Sequence, residues 1–295
     1  MLKTHSLQER SRPDWLKIRL NTSINYQRTK QIIRKQGLNT VCEEARCPNI
    51  YECWNRHTAT IMILGDICTR SCGFCSVKTG KPPVVDIEEP IRTAEAVKYM
   101  QLKHVVITSV DRDDLKDDYG STIWVDTIKA IRELVPECTI EVLTPDFKNY
   151  APAFENVFKA CPDIFSHNIE CIPRISKNIR RQSDWNRSVS ILNSAVKWGL
   201  ETKTGMMVGL GENDREVLEV MKEIADYGIA IFNIGQYLQP TKDHLPVHRF
   251  VHPDTFKLYR EEGLKMGFRV IESGPLVRSS YHADEQVKRL KISSK

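Results

Sequence analysis

Val41 to Gly80 reads VCEEARCPNIYECWNRHTATIMILGDICTRSCGFCSVKTG, and this stretch holds six of the nine cysteines of a 295-residue chain. Cys42, Cys47 and Cys53 are spaced C-x4-C-x5-C, and Cys68, Cys72 and Cys75 are spaced C-x3-C-x2-C. Between the triplets, Thr60 to Leu64 is a short apolar run closed by Gly65, the pattern of a buried parallel strand. Its C-terminal end opens directly into the second triplet. Catalytic groups of α/β barrels gather on the loops after strands, so this order of strand and cysteines points to fold and chemistry together.

Three ligand chemistries compete for the cysteines. Disulfides suit an oxidising compartment and small core-poor domains, and neither the chain length nor the polar first twenty residues fits that case. Structural zinc closes with four tetrahedral N/S ligands, commonly from two Cys-x-x-Cys pairs, and neither triplet has that form. Iron–sulfur clusters are held by thiolates in short loops, and a cubane bound by only three cysteines keeps one iron open to another ligand. The spacing favours iron–sulfur. Pro48 and Asn49 break regular structure between Cys42 and Cys53, leaving a loop that can fold around a cluster. Glu43, Glu44 and Arg46 sit among these ligands, either as surface charges or in support of the site.

Outward from this stretch, apolar strands alternate with amphipathic helices. Besides Thr60–Leu64, strands are predicted at His104–Thr108, Thr139–Leu143, Ile164–Ile169, Thr202–Val208, Ile229–Ile234 and Arg269–Glu272. Ala94, Val97 and Met100, and then Val217, Leu218, Met221, Ile224 and Ala225, recur at helical spacing. The latter helix starts near Asn213 and stops at Gly228, and an earlier one spans Asn25 to Gln36 before Gly37. Such βα repetition predicts a parallel sheet with right-handed crossovers. Alternation alone does not separate a barrel from a doubly wound sheet.

The chain is 41% hydrophobic with formal net charge +5, enough apolar content for a sizeable core. Its basic and acidic residues are interspersed, which fits a solvated surface or a patch for an acidic carrier protein. No motif supports nucleic-acid binding, and no run reaches the length of a membrane span. Free thiolates that must receive iron predict a reducing cytoplasm. Cys138, Cys161 and Cys171 read as small core side chains. His244 and His248, beside Pro246, lack paired ligand spacing and read as surface residues. VGLGE (Val208–Glu212) has no Walker lysine or serine in register and reads as a tight strand-to-helix turn.

CTRSCGFC (Cys68–Cys75) matches the signature of the radical S-adenosylmethionine (SAM) enzymes, including Phe74 before the third cysteine. With C-x4-C-x5-C upstream, ITSVDRDDL (Ile107–Leu115), VGLGE, GQYLQP (Gly235–Pro240) and VRSSYHA (Val277–Ala283), the chain resembles the lipoyl synthase family. The likeness starts near Pro13-Asp14-Trp15 and runs almost to the C-terminus. It implies an α/β fold, a partial (βα)6 TIM-type barrel with N-terminal and C-terminal extensions carrying an auxiliary iron–sulfur cluster. The corresponding divisions are residues 1–58, 59–272 and 273–295.

The resemblance also implies the chemistry. Two 4Fe-4S clusters and SAM are the cofactors: Cys68, Cys72 and Cys75 hold the cluster that cleaves SAM, and Cys42, Cys47 and Cys53 hold the auxiliary one. The resulting 5′-deoxyadenosyl radical removes hydrogen from unactivated carbon, and the auxiliary cluster gives up two sulfurs to C6 and C8 of a protein-bound octanoyl chain. A serine of the RSSY motif completes the auxiliary site; Ser280 is the choice, with Ser279 left open by the chemistry, since a hydroxyl is a weak, displaceable ligand for a soft metal site. Phe74, Asn168, Glu170, Arg180 and Gln236 are assigned to SAM, Arg180 as a fork for its carboxylate. Tyr237 is a candidate beside Gln236 or a core residue. The implied partners are an octanoylated lipoyl carrier domain or protein, an electron donor such as a ferredoxin or flavodoxin, and an iron–sulfur carrier that rebuilds the cluster. Two departures stand out: Asp117-Asp118-Tyr119-Gly120 where the family has D-G-G-A, and Arg181-Gln182 where Pro-Gly is usual. They keep open a divergent sulfur-inserting radical SAM enzyme with another substrate.

Overall fold

The computed structural model describes residues 12–18, 22–56 and 58–293. Seven parallel strands form the sheet: β1 Thr60–Ile63, β2 His104–Ser109, β3 Thr139–Leu143, β4 Ile164–Ser166, β5 Thr202–Val208, β6 Ile231–Gln236 and β7 Val270–Gly274. Their order in space follows their order in sequence. A doubly wound sheet reverses its order midway, so the uninterrupted sequence of neighbours decides for a barrel-type wall. The wall is open, because β1 and β7 do not pair. Instead Asn39–Thr40 adds antiparallel to β1, with Thr40 opposite Ile61, and the N-terminal extension thereby joins the sheet.

Six βα units are present, as expected, with helices α1 Glu89–Tyr99, α2 Ser121–Leu134, α3 Ala151–Lys159, α4 Trp185–Trp198, α5 Asp214–Asp226 and α6 Pro253–Met266 on the outside. The seventh strand adds to a six-unit count and crosses the expected boundary at residue 272. The helix expected over Asn25–Gln36 runs Ile24–Lys35, with the Ser23 hydroxyl accepting from the Tyr26 N–H, and Gly37 leaves it at φ +60°. At α5, Asn213 and Glu216 form the reciprocal capping pair. Strand ends shift by a few residues: β4 stops at Ser166, and β6 runs on to Gln236.

Two apolar layers between sheet and helices form the core, one under β1–β4 and the other under β5–β7. Trp54 is fully buried in the first, its ring tilted against Tyr26 at 5.2 Å, and anchors the N-terminal extension. The last helix, α7 Ala283–Ser293, puts Val287 and Leu290 against Ile164, Ile231 and Val270 at the starts of β4, β6 and β7. It thus closes the end of the barrel opposite the cysteines. Above it lies a fully buried ion pair, Lys203 Nζ to Glu141 Oε1 at 2.9 Å. Cys138 and Cys171 are buried as expected, whereas Cys161 is exposed: it follows α3 at φ +53°, in the turn that leaves the helix. Among the described residues, no helix is long and apolar enough to cross a membrane.

Candidate functional site

All six cysteines of the two triplets line one cavity of about 490 Å³ at the C-terminal end of the strands. Cys42 lies in a short helix, Val41–Glu44, whose first turn is capped by the Thr40 hydroxyl accepting from the Glu43 N–H. Cys53 lies in the helix Ile50–Asn55, tied to β1 by Thr58, which donates to the Cys53 carbonyl at 2.8 Å. The loop between them is held by Asn49, whose amide donates to the Leu276 carbonyl at 2.7 Å. The stretch singled out as breaking regular structure therefore joins the two extensions.

The second triplet follows β1. Glu89, buried in α1, accepts from the Leu64 N–H at 2.6 Å and fixes the exit of the strand. The hub of this loop is Arg70, a residue the motif reading passed over. Its buried guanidinium meets Asp113 through two nitrogens at 2.7 and 2.8 Å, Asp146 at 2.6 Å and Asp111 at 3.1 Å. It also donates to the Ser183 hydroxyl at 3.2 Å. Asp111 in turn accepts weakly from the Cys68 thiol at 3.8 Å. The acidic run after β2 therefore grips the cysteine loop from below. The signal was available, since an arginine inside a cysteine loop and three aspartates after two strands are an ion-pair pattern, but only the fold brings them together.

The chain after β6 covers the same loop from the other side. Leu245 donates its N–H to the Gly73 carbonyl at 3.0 Å, and the Tyr237 hydroxyl donates to the Leu245 carbonyl at 2.7 Å. His244, expected at the surface, is half-buried with Nε2 3.0 Å from the Cys75 carbonyl oxygen. Gly73 packs closely at this crossing, and a Cβ there would come within 2.9 Å of Leu245 Cδ1, so that side chain would have to move.

Of the residues assigned to SAM, Phe74, Asn168, Glu170 and Arg180 line the cavity. Arg180 is turned inward, donating to the Ile169 carbonyl at 3.2 Å and the Ser188 hydroxyl at 3.3 Å, while Arg181 is exposed. Gln182 accepts from the Ser71 N–H at 2.8 Å, so the unusual Arg181-Gln182 pair braces the cysteine loop from outside. Gln236 departs from expectation. Its amide donates to the Val208, Tyr237 and Arg249 carbonyls and accepts from the Val251 N–H, so the side chain is engaged by backbone and does not line the cavity. In VGLGE, the Glu212 carboxylate accepts from the Gly209 and Leu210 N–H groups at 2.7 and 2.9 Å, so the turn is closed on its own side chain. In Asp117–Gly120, Tyr119 and Gly120 both have positive φ, 53° and 83°, and Asp118 caps α2 through the Thr122 N–H at 2.9 Å.

In the C-terminal motif the two serines part company. Ser279 Oγ accepts from the Asn168 amide at 2.7 Å, and its carbonyl accepts from the Asn233 amide at 2.8 Å. Ser280 Oγ instead accepts from the Thr60 hydroxyl at 2.6 Å. The next two residues face the helix of Cys53: the Tyr281 hydroxyl donates to Glu52 at 3.1 Å, and His282 Nε2 lies 2.9 Å from the same carboxylate.

The electrostatics fit the cofactors implied by the cysteines. Burial pushes the Cys42, Cys68 and Cys72 thiols up to about 12 and also raises Cys47, Cys53 and Cys75. Thiols raised this far keep their protons until a metal displaces them. Among the described residues no three His, Cys, Asp or Glu side chains converge on a single metal ion. Burial likewise raises Asp111 to about 6 and raises Glu170, so both carboxylates would gain from a cationic ligand such as an ammonium or sulfonium. The Asn168 and Asn233 Oδ1 atoms are buried acceptors without a partner, placed for hydroxyl or ammonium donors.

His167 behind the site gives a pH prediction. Its nitrogens face the Thr144 carbonyl at 2.8 Å and the Ser188 hydroxyl at 2.9 Å, and burial, then the Arg180 guanidinium, lower its pKa to about 4. The unfolded chain binds this proton near pH 6.5 and the folded chain only near 4, so stability is full above 6.5 and declines as pH falls through that window. The expected loss is about 2–3 kcal/mol at pH 4. Urea unfolding of wild type and His167→Gln across the window checks it: the variant should lack most of this slope.

The comparisons with known proteins agree with this arrangement. Residues 62–224 match the model of the radical SAM superfamily, and residues 2–47 match the N-terminal domain of lipoyl synthase of that family. A lipoyl synthase from Rubrobacter xylanophilus is 53% identical over 284 residues, covering 95% of this chain and 88% of the relative. One from Flavobacterium psychrophilum is 48% identical over 94% of this chain and 95% of its own, and a mitochondrial one from Nematostella vectensis is 47% identical over the same shares. Among solved structures, methylornithine synthase aligns with TM-score 0.54 at 13% identity, over 79% of this chain and 80% of that one. Streptococcus suis SuiB bound to S-adenosylmethionine aligns with TM-score 0.58 at 11% identity, over 76% and 54%. At such identities the structural likeness speaks for the fold alone. With relatives near half identity over almost the whole length, and both cysteine triplets opening on one cavity, the chain belongs to the lipoyl synthase family of radical SAM enzymes.

Proposed function

We propose that this enzyme converts a protein-bound octanoyl chain to the lipoyl cofactor by inserting sulfur at C6 and C8, with residues 1–58 and 273–295 building the auxiliary site on the barrel of residues 59–272. The observation that carries this reading is the convergence of both triplets and Ser280 on one cavity. Cys68, Cys72 and Cys75 would hold the SAM-binding cluster, and Cys42, Cys47, Cys53 and Ser280 the auxiliary one. When bound, these groups supply one-electron cleavage of SAM for hydrogen removal, and sulfur for insertion.

The protein's own part is placement. Arg180 offers its guanidinium, and Asp111 and Glu170 their carboxylates, to the two ends of an amino acid headgroup. Asn168 presents a free acceptor, and Phe74, within the cysteine loop, packs against the apolar layer under β5–β7. Each serine hydroxyl of the RSSY motif takes one hydrogen bond, Ser279 Oγ from the Asn168 amide and Ser280 Oγ from the Thr60 hydroxyl, and the choice of Ser280 for the auxiliary site rests on the family likeness. Met62, Val106, Leu143 and Met206 line the apolar part of the cavity. They suit an octanoyl tail, each buried methylene contributing about 0.8 kcal/mol. Their contact keeps water from the carbons that react. The octanoyl group arrives on a lipoyl carrier domain, and the electron on a ferredoxin or flavodoxin. An iron–sulfur carrier restores the auxiliary site, and the reaction runs in the cytoplasm.

The test is anaerobic mass spectrometry of an octanoyl-lysine peptide after incubation with reconstituted enzyme, SAM and a strong reductant. Addition of two sulfurs together with 5′-deoxyadenosine is expected. Deoxyadenosine without sulfur on the peptide would move the assignment to a sulfur-inserting enzyme with another substrate.

A further inference from the structure

Thr60, the first residue of β1, touches both halves of the auxiliary site. Its hydroxyl donates to Ser280 Oγ at 2.6 Å, and its backbone N–H faces the Cys42 thiol. It is 4% exposed and lines the same cavity as Ser280. Its backbone is fixed twice over. Thr60 pairs with Val106 of β2, and its neighbour Ile61 pairs with Thr40, the residue that caps the helix carrying Cys42. Ser280, by contrast, comes from a turn after β7 and has no regular structure to aim it.

We propose that Thr60 is the positioning residue of the auxiliary site: its hydroxyl sets the direction of Ser280 Oγ toward the Cys42, Cys47 and Cys53 triplet. This rests on Ser280 as the fourth ligand. Three observations converge on the proposal. The Asn168 and Asn233 amides hold Ser279 and so leave Ser280 as the serine that points at β1. Tyr281 and His282 hold the following turn on Glu52, so the segment is pinned on both sides of Ser280 and only its side-chain rotamer remains to be chosen. The hydroxyl of Thr60 makes that choice, because a buried hydroxyl left without its partner costs more than the contact itself gains.

The experiment uses the full-length reconstituted protein under anaerobic conditions. Iron release to a ferrous chelator is followed, and the SAM-binding cluster, recognised by the change of its EPR signal on adding SAM, is the internal reference. Thr60→Val should speed release from the auxiliary cluster by roughly 5-fold, the worth of one directed hydrogen bond, without altering the reference. Thr60→Ser should restore the wild-type rate, and Thr60→Ala carries the same expectation as Val if packing of the extra methyl interferes. Ser280→Ala should release faster still, and adding Thr60→Val to it should change nothing further. A Thr60→Val rate equal to wild type beside a fast Ser280→Ala would overturn the role of Thr60 alone. A Ser280→Ala rate equal to wild type would overturn the ligand reading on which it rests.

Discussion

Cys47→Ala should produce an enzyme that still turns SAM into 5′-deoxyadenosine but puts no sulfur into an octanoyl substrate. Cys47 belongs to the triplet of the N-terminal extension, and the Arg278 guanidinium of the RSSY motif is the charge that favours its thiolate against burial. Losing it removes one of three thiolates at a site whose fourth proposed ligand is only a hydroxyl. The remaining ligands cannot hold a cubane, and sulfur insertion should fall by roughly 100-fold or more, since residues that merely support metal ligands already cost roughly 10–100-fold. The Cys68, Cys72 and Cys75 loop is built separately, on Arg70, Glu89 and the chain after β6, so deoxyadenosine formation should stay within a few-fold of wild type. Iron analysis should find about half the iron of the parent. Full lipoylation by Cys47→Ala would sink the donor assignment, and loss of SAM cleavage would mean that the two sites are not independently built.

Arg70→Met carries the largest expected stability effect. One buried guanidinium faces Asp111, Asp113 and Asp146, whose side chains are 22%, 16% and 0% exposed. Asp146 is held at about 2: burial alone would raise it, but Arg70, with help from Arg187, more than reverses that. Asp113 is lowered in the same way, whereas at Asp111 burial outweighs the guanidinium. Removing the cation leaves three carboxylates in the wall, with Lys148 beside Asp113, Arg187 beside Asp146 and the more distant charge of Arg180 acting on Asp111. Breaking one side of a buried pair costs about 3–5 kcal/mol, and the loss should be read as a lower urea midpoint. Because Asp146 would then titrate closer to an ordinary carboxylate, the variant should also lose less further stability than wild type as pH falls toward about 2. Arg70→Lys should recover only part of the loss, as an ammonium cannot meet Asp113 through two nitrogens while reaching Asp146. An Arg70→Met protein within about 1 kcal/mol of wild type would show that the carboxylates, not the arginine, organise the loop.

Both predictions lean on residues of different legibility. Cys47 is visible in the bare sequence, since thiolate chemistry is local and spacing reports it. Arg70 is not, because its partners lie after two different strands and local spacing does not connect them to it. Gln236 fails in the opposite direction. Its place in GQYLQP suggested a cofactor contact, yet three backbone carbonyls share its two amide hydrogens and the Val251 N–H binds its amide oxygen. His244 reads as surface by spacing and becomes half-buried once the loop after β6 folds over Gly73.

The sequence by itself determined the chemistry and the class of fold: two cysteine triplets, an apolar strand running into the second, and a βα alternation with helix stops at Gly37 and Gly228. These are properties of residue type and period, which act within a few residues of chain. Tertiary structure alone decided that the strands follow one another into an open barrel wall rather than a reversed sheet, and that α7 closes its far end. It also decided that Arg70 binds three aspartates and that Thr60 meets Ser280 across 220 residues. Such contacts depend on which strand ends become neighbours, and nothing in local spacing encodes that distance.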